Sequence, residues 1–194
     1  MGDKILVVRA QVPSPEVDGG ARRIVRLMQL MMELGFSVTF IPWLRQSFPG
    51  ATDRQAKDWQ ALREIGIEAP LVDDSRAWLQ SNAADFDIII FNGFEAAEHL
   101  LGAVPRNRSR PITVYDTVDL AYLREGRRAL WERDPVLLVH TVNIARIEIR
   151  SVARADYTWA ISEEERRILH RWLPHASVDV IPSMHPLHPP MSSF

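Results

Sequence analysis

The chain of 194 residues contains no cysteine, which excludes disulfide-stapled folds and cysteine-ligated zinc sites. It has no apolar run of the roughly 20 residues that a bilayer-spanning helix needs. The N-terminal segment MGDKILVVRA has too short an apolar stretch for a signal peptide. We therefore expect a soluble cytoplasmic protein, and the composition leaves room for a peripheral contact with the inner membrane.

An excess of charge of either sign is also missing. The chain has 23 lysines and arginines against 25 acidic residues, a formal net charge of −2. A nucleic-acid-binding domain usually carries a clear basic excess, so we expect no nucleic-acid partner. The length is sufficient for one domain with a full hydrophobic core.

Short apolar runs alternate with amphipathic segments along most of the chain. This alternation predicts an α/β fold, a Rossmann-like doubly wound parallel sheet of six or seven strands. Strands are predicted at residues 4–8, 36–41, 67–72, 86–91, 112–115, 157–161 and 178–181. We assign residues 1–184 to this domain and the proline-rich residues 185–194 to a linker or tail.

Helix boundaries are marked by residue types that favour helix ends. A first helix is predicted from Ala21 to a C-terminal cap at Gly35. A later helix starts at Asp134-Pro135, and Ser162 with Glu165 forms a capping box for another. The buried stripe of the helix after Pro135 is predicted to contain Leu138, Val142, Ala145, Ile149 and Val152.

Polar residues and glycines follow several of the predicted strands. The carboxyl ends of parallel strands share one edge of the sheet, where ligands of such folds bind. This edge is therefore the predicted functional site, and it collects Arg9, Gln11, Gly19, Gly20, Asn92, Gly93, Asp116, Thr117, Asp119, Ser162 and Glu163.

The adjacent pair Gly19 and Gly20 lies between the first strand and the first helix. Glycines there let the backbone approach a ligand closely, and exposed amides at a helix start favour an anion such as a phosphate. A tight turn with no ligand is the alternative. The dehydrogenase fingerprint GxGxxG is absent, and Ile41-Pro42-Trp43 supplies no acid after the second strand.

Asp116 and Asp119 stand just beyond the strand ITVY. A carboxylate at this position can act as a base toward a sugar hydroxyl or can bind one. The alternative is that either residue caps the following helix. His185 and His188 have an HxxH spacing, but the prolines around them prevent a helical pair, so no metal site is predicted.

Four segments resemble the N-terminal domain of glycosyltransferase family 4 (group 1) proteins, in the family's order. They are ILVVRAQVPSPEVDGGARRIVRLMQLMMELGFSVTFIP, VYDTVDLAYLRE, ARADYTWAISEEE and VDVIPSMHP. The resemblance covers residues 4–190, with one departure: Ala121 stands where relatives often have histidine. It implies a GT-B architecture of two Rossmann-like domains and a mechanism that retains anomeric configuration, without a metal or other cofactor.

The resemblance also implies roles for individual residues. Gly19 and Gly20 would approach the diphosphate of a nucleotide-sugar donor, and Asp116 and Asp119 would be the candidate catalytic residues. Gln11, Asn92 and Ser162 are assigned to acceptor binding.

The function expected from the resemblance is the acceptor-side half of a retaining glycosyltransferase. It would move a hexose from a nucleotide sugar to a glycan or lipid-linked hydroxyl acceptor, in the synthesis of cell-surface polysaccharide. The family's paired donor-binding glutamates belong to a C-terminal domain. We expect that domain in a longer parent chain, or else in a partner chain. The alternative function is a non-catalytic Rossmann-like module that binds a nucleotide or another protein.

Overall fold

The computed structural model describes residues 3–44, 53–106 and 110–184. Six strands run in chain order as β1 (Lys4–Arg9), β2 (Ser37–Pro42), β3 (Ile88–Asn92), β4 (Ile112–Asp116), β5 (Tyr157–Ala160) and β6 (Val178–Val180). The helices are α1 (Gly19–Glu33), α2 (Asp53–Glu64), α3 (Ser75–Asn82), α4 (Phe94–Leu100), α5 (Ala121–Glu132), α6 (Pro135–Arg154) and α7 (Glu163–Trp172).

All six strands pair in parallel, in the order β2-β1-β3-β4-β5-β6. The chain moves to one side from β1 to β2 and then crosses back to place β3 on the other side. The switch point lies between β1 and β3, where Arg9 is in register with Asn92. A crevice at the carboxyl ends of the strands is expected at such a point.

Apolar side chains fill both faces of the sheet, as the continuous apolar runs of β1 and β3 predict. One core packs α1 and α2 against alternate strand residues such as Val7 and Ile90. The other packs α3, α4, α6 and α7 against Val8, Phe91 and their neighbours. The doubly wound α/β fold predicted from the sequence is therefore confirmed.

Three local predictions were wrong. Residues 67–72 do not form a seventh strand, because Glu68 makes only an isolated parallel bridge with Thr39. The alternative that Asp116 or Asp119 caps the helix after β4 is also wrong, because the N-cap of α5 is Leu120 and neither aspartate caps this helix. In α6 the buried residues are Thr141, Ile144, Glu148, Ser151 and Val152, whereas Leu138 and Val142 are exposed.

The described residues end at position 184, just beyond β6. The predicted linker or tail, residues 185–194, lies outside them, and so do His185 and His188. No helix in the described ranges has the length and apolar character required to cross a membrane.

Candidate functional site

A cavity of about 720 Å³ opens at the switch point, beyond the carboxyl ends of β1 and β3. Its walls come from the loop after β1, the start of α2, the start of α4 and the segment between β4 and α5. The polar and charged side chains that line it are Arg9, Gln11, Ser14, Asp18, Arg54, Gln55, Asn92, Glu95, Thr117, Asp119 and Arg124.

Two buried polar atoms at this cavity have no hydrogen-bond partner within the described part of the chain. They are Oδ1 of Asn92 and Oγ1 of Thr117, and each residue is only 2% exposed. An unsatisfied buried polar group costs about 1–3 kcal/mol. Because both residues line the cavity, a bound ligand could satisfy these atoms, one as a hydrogen-bond acceptor and one as a donor or an acceptor.

The charged groups of the cavity are mostly paired. Arg9 forms an ion pair with Asp18, and Arg124 forms one with Asp119. Burial acts to raise the pKa of Asp18, but the hydrogen bond and charge of Arg9 and the amides at the start of α1 outweigh it, so this pKa lies below its ordinary value. Arg54 also lines the cavity and has no ion pair among the described residues.

Asp116 occupies a different position from the one expected of a catalytic base. Its side chain is fully buried and does not line the cavity. One carboxylate oxygen accepts hydrogen bonds from Arg23 at 2.6 Å and Asn92 at 2.8 Å, and the other accepts the Val118 amide at 3.3 Å. This geometry corrects the assignment of Asp116 to the acceptor hydroxyl, because its carboxylate instead neutralises a buried guanidinium.

Arg23 of α1 is the buried cation that pairs with Asp116. It is 2% exposed, and besides Asp116 it donates to the carbonyl oxygen of Ile181 at 2.8 Å. The buried ion pair of Arg23 and Asp116 therefore supports the floor of the cavity, which is where Asn92 lies.

The remaining predicted site residues divide into two groups. Gln11, Asn92 and Asp119 line the cavity, so the structure brings them together as predicted. Ser162 does not: its hydroxyl accepts the Glu165 amide at 3.2 Å and caps α7. This half of the predicted capping box is confirmed, while a place for Ser162 beside a ligand is not.

Gly19 and Gly20 form the first turn of α1 rather than a loop before it, and neither lines the cavity. The Asp18 side chain caps this helix by accepting the amides of Gly20 at 2.9 Å and Ala21 at 3.2 Å. A carboxylate of the protein thus occupies the position where the sequence predicted a phosphate.

The reason for glycine at position 20 is its contact with Val118. A Cβ on Gly20 would lie 2.8 Å from Cγ1 of Val118, and Val118 has a φ of 66°. That backbone conformation is rare for a β-branched residue and costs on the order of 1–3 kcal/mol. The close approach of α1 holds this strained residue in the wall of the cavity.

Replacement of Gly20 by alanine is expected to destabilise the protein by about 1–3 kcal/mol, because the new Cβ overpacks against Val118. Gly19 is the matched control, since a Cβ there meets nothing within 4 Å. Gly19→Ala should leave stability unchanged or raise it slightly. Urea unfolding of both variants measures the difference, and Gly20→Ala in a Val118→Ala background should recover most of the loss. Equal stability of the two alanine variants would contradict this account.

Comparison with known proteins places this geometry in a wider context. No protein-family model matches the sequence, and no curated protein matches it either. Among solved structures, HepE from Anabaena in complex with UDP matches with a TM-score of 0.57 and 16% identity, over 93% of this chain and 44% of HepE. HepE with UDP-glucose matches with a TM-score of 0.56 and 15% identity, over 93% of this chain and 44% of HepE. The chain has the fold of a Rossmann-like GT-B half.

This GT-B half spans less than half the length of the HepE chain. At such low identity the likeness concerns the fold and does not assign a function to individual residues.

The sequence analysis missed several ionisable residues: Arg54, Glu95 and Arg124 line the cavity, and Glu148 lies next to it. Glu148 of α6 is completely buried and accepts the backbone amides of Ala121 and Tyr122 at 3.1 and 3.0 Å. Burial raises the pKa of its carboxyl to about 7, and the charge of Asp119 adds to the rise, although the two amides act in the opposite direction. Glu148 therefore accepts hydrogen bonds from the first backbone amides of α5, next to the segment between β4 and α5 that lines the cavity.

Proposed function

We propose that the chain is the acceptor-side half of a retaining glycosyltransferase that transfers a hexose from a nucleotide sugar to a hydroxyl acceptor. The observation that carries this proposal is the cavity at the switch point, where Asn92 and Thr117 present unpartnered buried polar atoms. An acceptor and a hydroxyl that both lack a partner suit a sugar, because each sugar hydroxyl can donate one hydrogen bond and accept others.

The donor class is proposed from the shared fold. HepE has been solved with UDP, with UDP-glucose, and with UDP and glucose. We extend a UDP-sugar donor to this chain, with a donor-binding domain in the parent chain or in a partner chain. Membership of family 4 and a role in cell-surface polysaccharide synthesis rest on the sequence resemblance, as do retention of configuration and independence of a metal or other cofactor.

Within the cavity, Asp119 is the better candidate for the acceptor hydroxyl. Its carboxylate lines the cavity and is partly exposed, and Arg124 holds it in place. Gln11 and Asn92 remain the proposed acceptor-binding residues, and Thr117 joins them. Gly19 and Gly20 could contact a donor diphosphate only if it replaced the Asp18 carboxylate at the Gly20 amide, so we place the main diphosphate contacts on the second domain.

The test removes the unpartnered hydroxyl while keeping the shape of the side chain. Thr117→Val should leave stability unchanged or raise it by up to about 1 kcal/mol, because no hydrogen bond is lost in the free protein. It should also raise the KM for a glycan acceptor about tenfold, the effect of one lost hydrogen bond. Transfer from UDP-glucose is followed by mass spectrometry, using the polypeptide that contains this chain together with its donor-binding domain.

Thr113 on β4 supplies the matched control. Its hydroxyl donates to Asp156 at 2.7 Å and accepts the Asp156 amide at 3.2 Å, at the opposite end of the strand. Thr113→Val should therefore lower stability by about 1–3 kcal/mol and leave the acceptor KM unchanged. Tight nucleotide binding without acceptor binding or transfer would instead support the non-catalytic module.

A further inference from the structure

Helices α5 and α6 form a hairpin that extends beyond the carboxyl edge of the sheet. Its base is fixed where Glu148 meets Tyr115 of β4 and the first amides of α5. Gly126 permits close approach halfway along, where its Cβ would lie 3.3 Å from Thr141. Glu148 comes thirteen positions after Pro135 in α6, so the turn stands roughly 20 Å from the base.

The far end of this hairpin exposes large apolar side chains, and we call these four residues the hairpin tip. Trp131 is 89% exposed, Val136 77%, Leu130 71% and Val139 65%. Leu138, which lies between Val136 and Val139, and Val142, about one turn further along α6, are also exposed. Large apolar side chains exposed at the same end of a hairpin are typical of a surface that contacts a partner or a lipid.

Arginines surround the hairpin tip. Residues 124–146 contain five arginines and three acids, although the whole chain has a net charge of −2. Arg127, Arg133 and Arg146 have no ion pair among the described residues. The acids are engaged locally: Asp134 caps α6, and Glu125 and Glu132 pair with Arg128.

We propose that the hairpin tip docks the protein peripherally onto an anionic lipid surface. An exposed tryptophan flanked by aliphatic residues suits the boundary between headgroups and acyl chains. Guanidinium groups without an ion pair beside the hairpin tip can bind the phosphates of anionic lipids. A negatively charged membrane satisfies both features at once, whereas the apolar residues alone would fit many partners.

Docking in this orientation has a geometric consequence for the cavity. Arg124 lines the cavity and lies seven residues before Trp131 on α5, which corresponds to about 10 Å along the helix. The hairpin would therefore hold the cavity mouth close to the lipid surface. The docking itself is independent of the proposed transfer reaction, and its test measures only binding to vesicles.

The experiment is flotation of the purified protein with vesicles of phosphatidylcholine alone or mixed equally with phosphatidylglycerol. The protein should float with the mixed vesicles and bind phosphatidylcholine at least tenfold more weakly. Trp131→Ser should weaken binding to mixed vesicles about tenfold, and Arg127→Gln with Arg133→Gln should do the same. The controls are Trp172→Ser, an exposed tryptophan on α7, and Arg22→Gln on α1, and both should bind as the wild type.

Several outcomes would overturn the proposal. Equal affinity for the two kinds of vesicle would show that an anionic surface is not the partner. An equal loss of vesicle binding in Trp131→Ser and Trp172→Ser would show that the hairpin tip is not the docking surface. Absence of vesicle binding, with a dimer in sedimentation velocity that Trp131→Ser dissociates, would identify a second copy as the occupant. Because Trp131 is exposed, circular dichroism of the variants should match the wild type.

Discussion

Replacing Asp116 by alanine is expected to lower the free energy of unfolding by about 3–5 kcal/mol. The change leaves the guanidinium of Arg23 buried without its counter-ion, and Asn92 loses the acceptor of its amide. Replacing both charges, as in Arg23→Met with Asp116→Leu, should cost clearly less than the single change, because no uncompensated charge remains. Chemical denaturation of the single and double variants measures both quantities.

Asp119 provides the control from the same segment. Its ion pair with Arg124 is partly exposed, so Asp119→Ala should cost no more than about 1 kcal/mol. In the transfer assay the order should reverse, with Asp119→Ala losing roughly 10²-fold in kcat if its carboxylate acts on the acceptor hydroxyl. An Asp116→Ala protein as stable as wild type would refute the buried ion pair as the support of the cavity floor.

The second large effect concerns the pH dependence of stability. Glu148 has a pKa of about 7 in the folded protein against 4.5 for an ordinary glutamate. The folded state therefore binds the proton more tightly than the unfolded state. The contribution of Glu148 to the free energy of unfolding is about 3 kcal/mol. It is fully present below about pH 4.5 and is lost as the pH rises through about 7.

Thermal melts between pH 5 and 8 measure this contribution. Wild-type stability should fall as the pH rises, and Glu148→Gln should flatten the profile. In Glu148→Gln a smaller dependence of stability on pH should remain, because burial also raises the pKa of Glu165. Glu98→Gln, at an exposed position on α4, should reproduce the wild-type profile. A Glu148→Gln profile parallel to wild type would contradict the assignment.

The sheet could be predicted from the sequence because a strand buried on both faces is a local signal. Runs such as KILVV and FDIIIF need no distant partner to be recognised. The same logic placed Asn92 and Asp119 at the correct edge. The strand predicted at residues 67–72 is absent because an apolar run at the edge of a sheet can make a single bridge without becoming a strand.

The roles of charged residues could not be predicted in this way. Arg23 and Asp116 are far apart in the sequence, and nothing local indicates that one neutralises the other in the core. Glu148 was hidden by an error of helical phase: the stripe through Leu138 and Val142 looked buried, whereas the actual stripe contains Glu148. The spacing Thr141, Ile144, Glu148 and Ser151 was available in the sequence, but its polar members disguised a buried face.

The contacts of Arg23 also bear on the order of events during folding. This guanidinium joins residues 93 and 158 positions away in the chain, at Asp116 and at Ile181. Closing loops of that length costs entropy before any contact is gained. We therefore expect this junction to form late, so that weakening it should chiefly accelerate unfolding while the refolding rate changes little. Arg23 thus joins the first helix to the end of the described chain, and we expect this contact to determine how fast the protein unfolds.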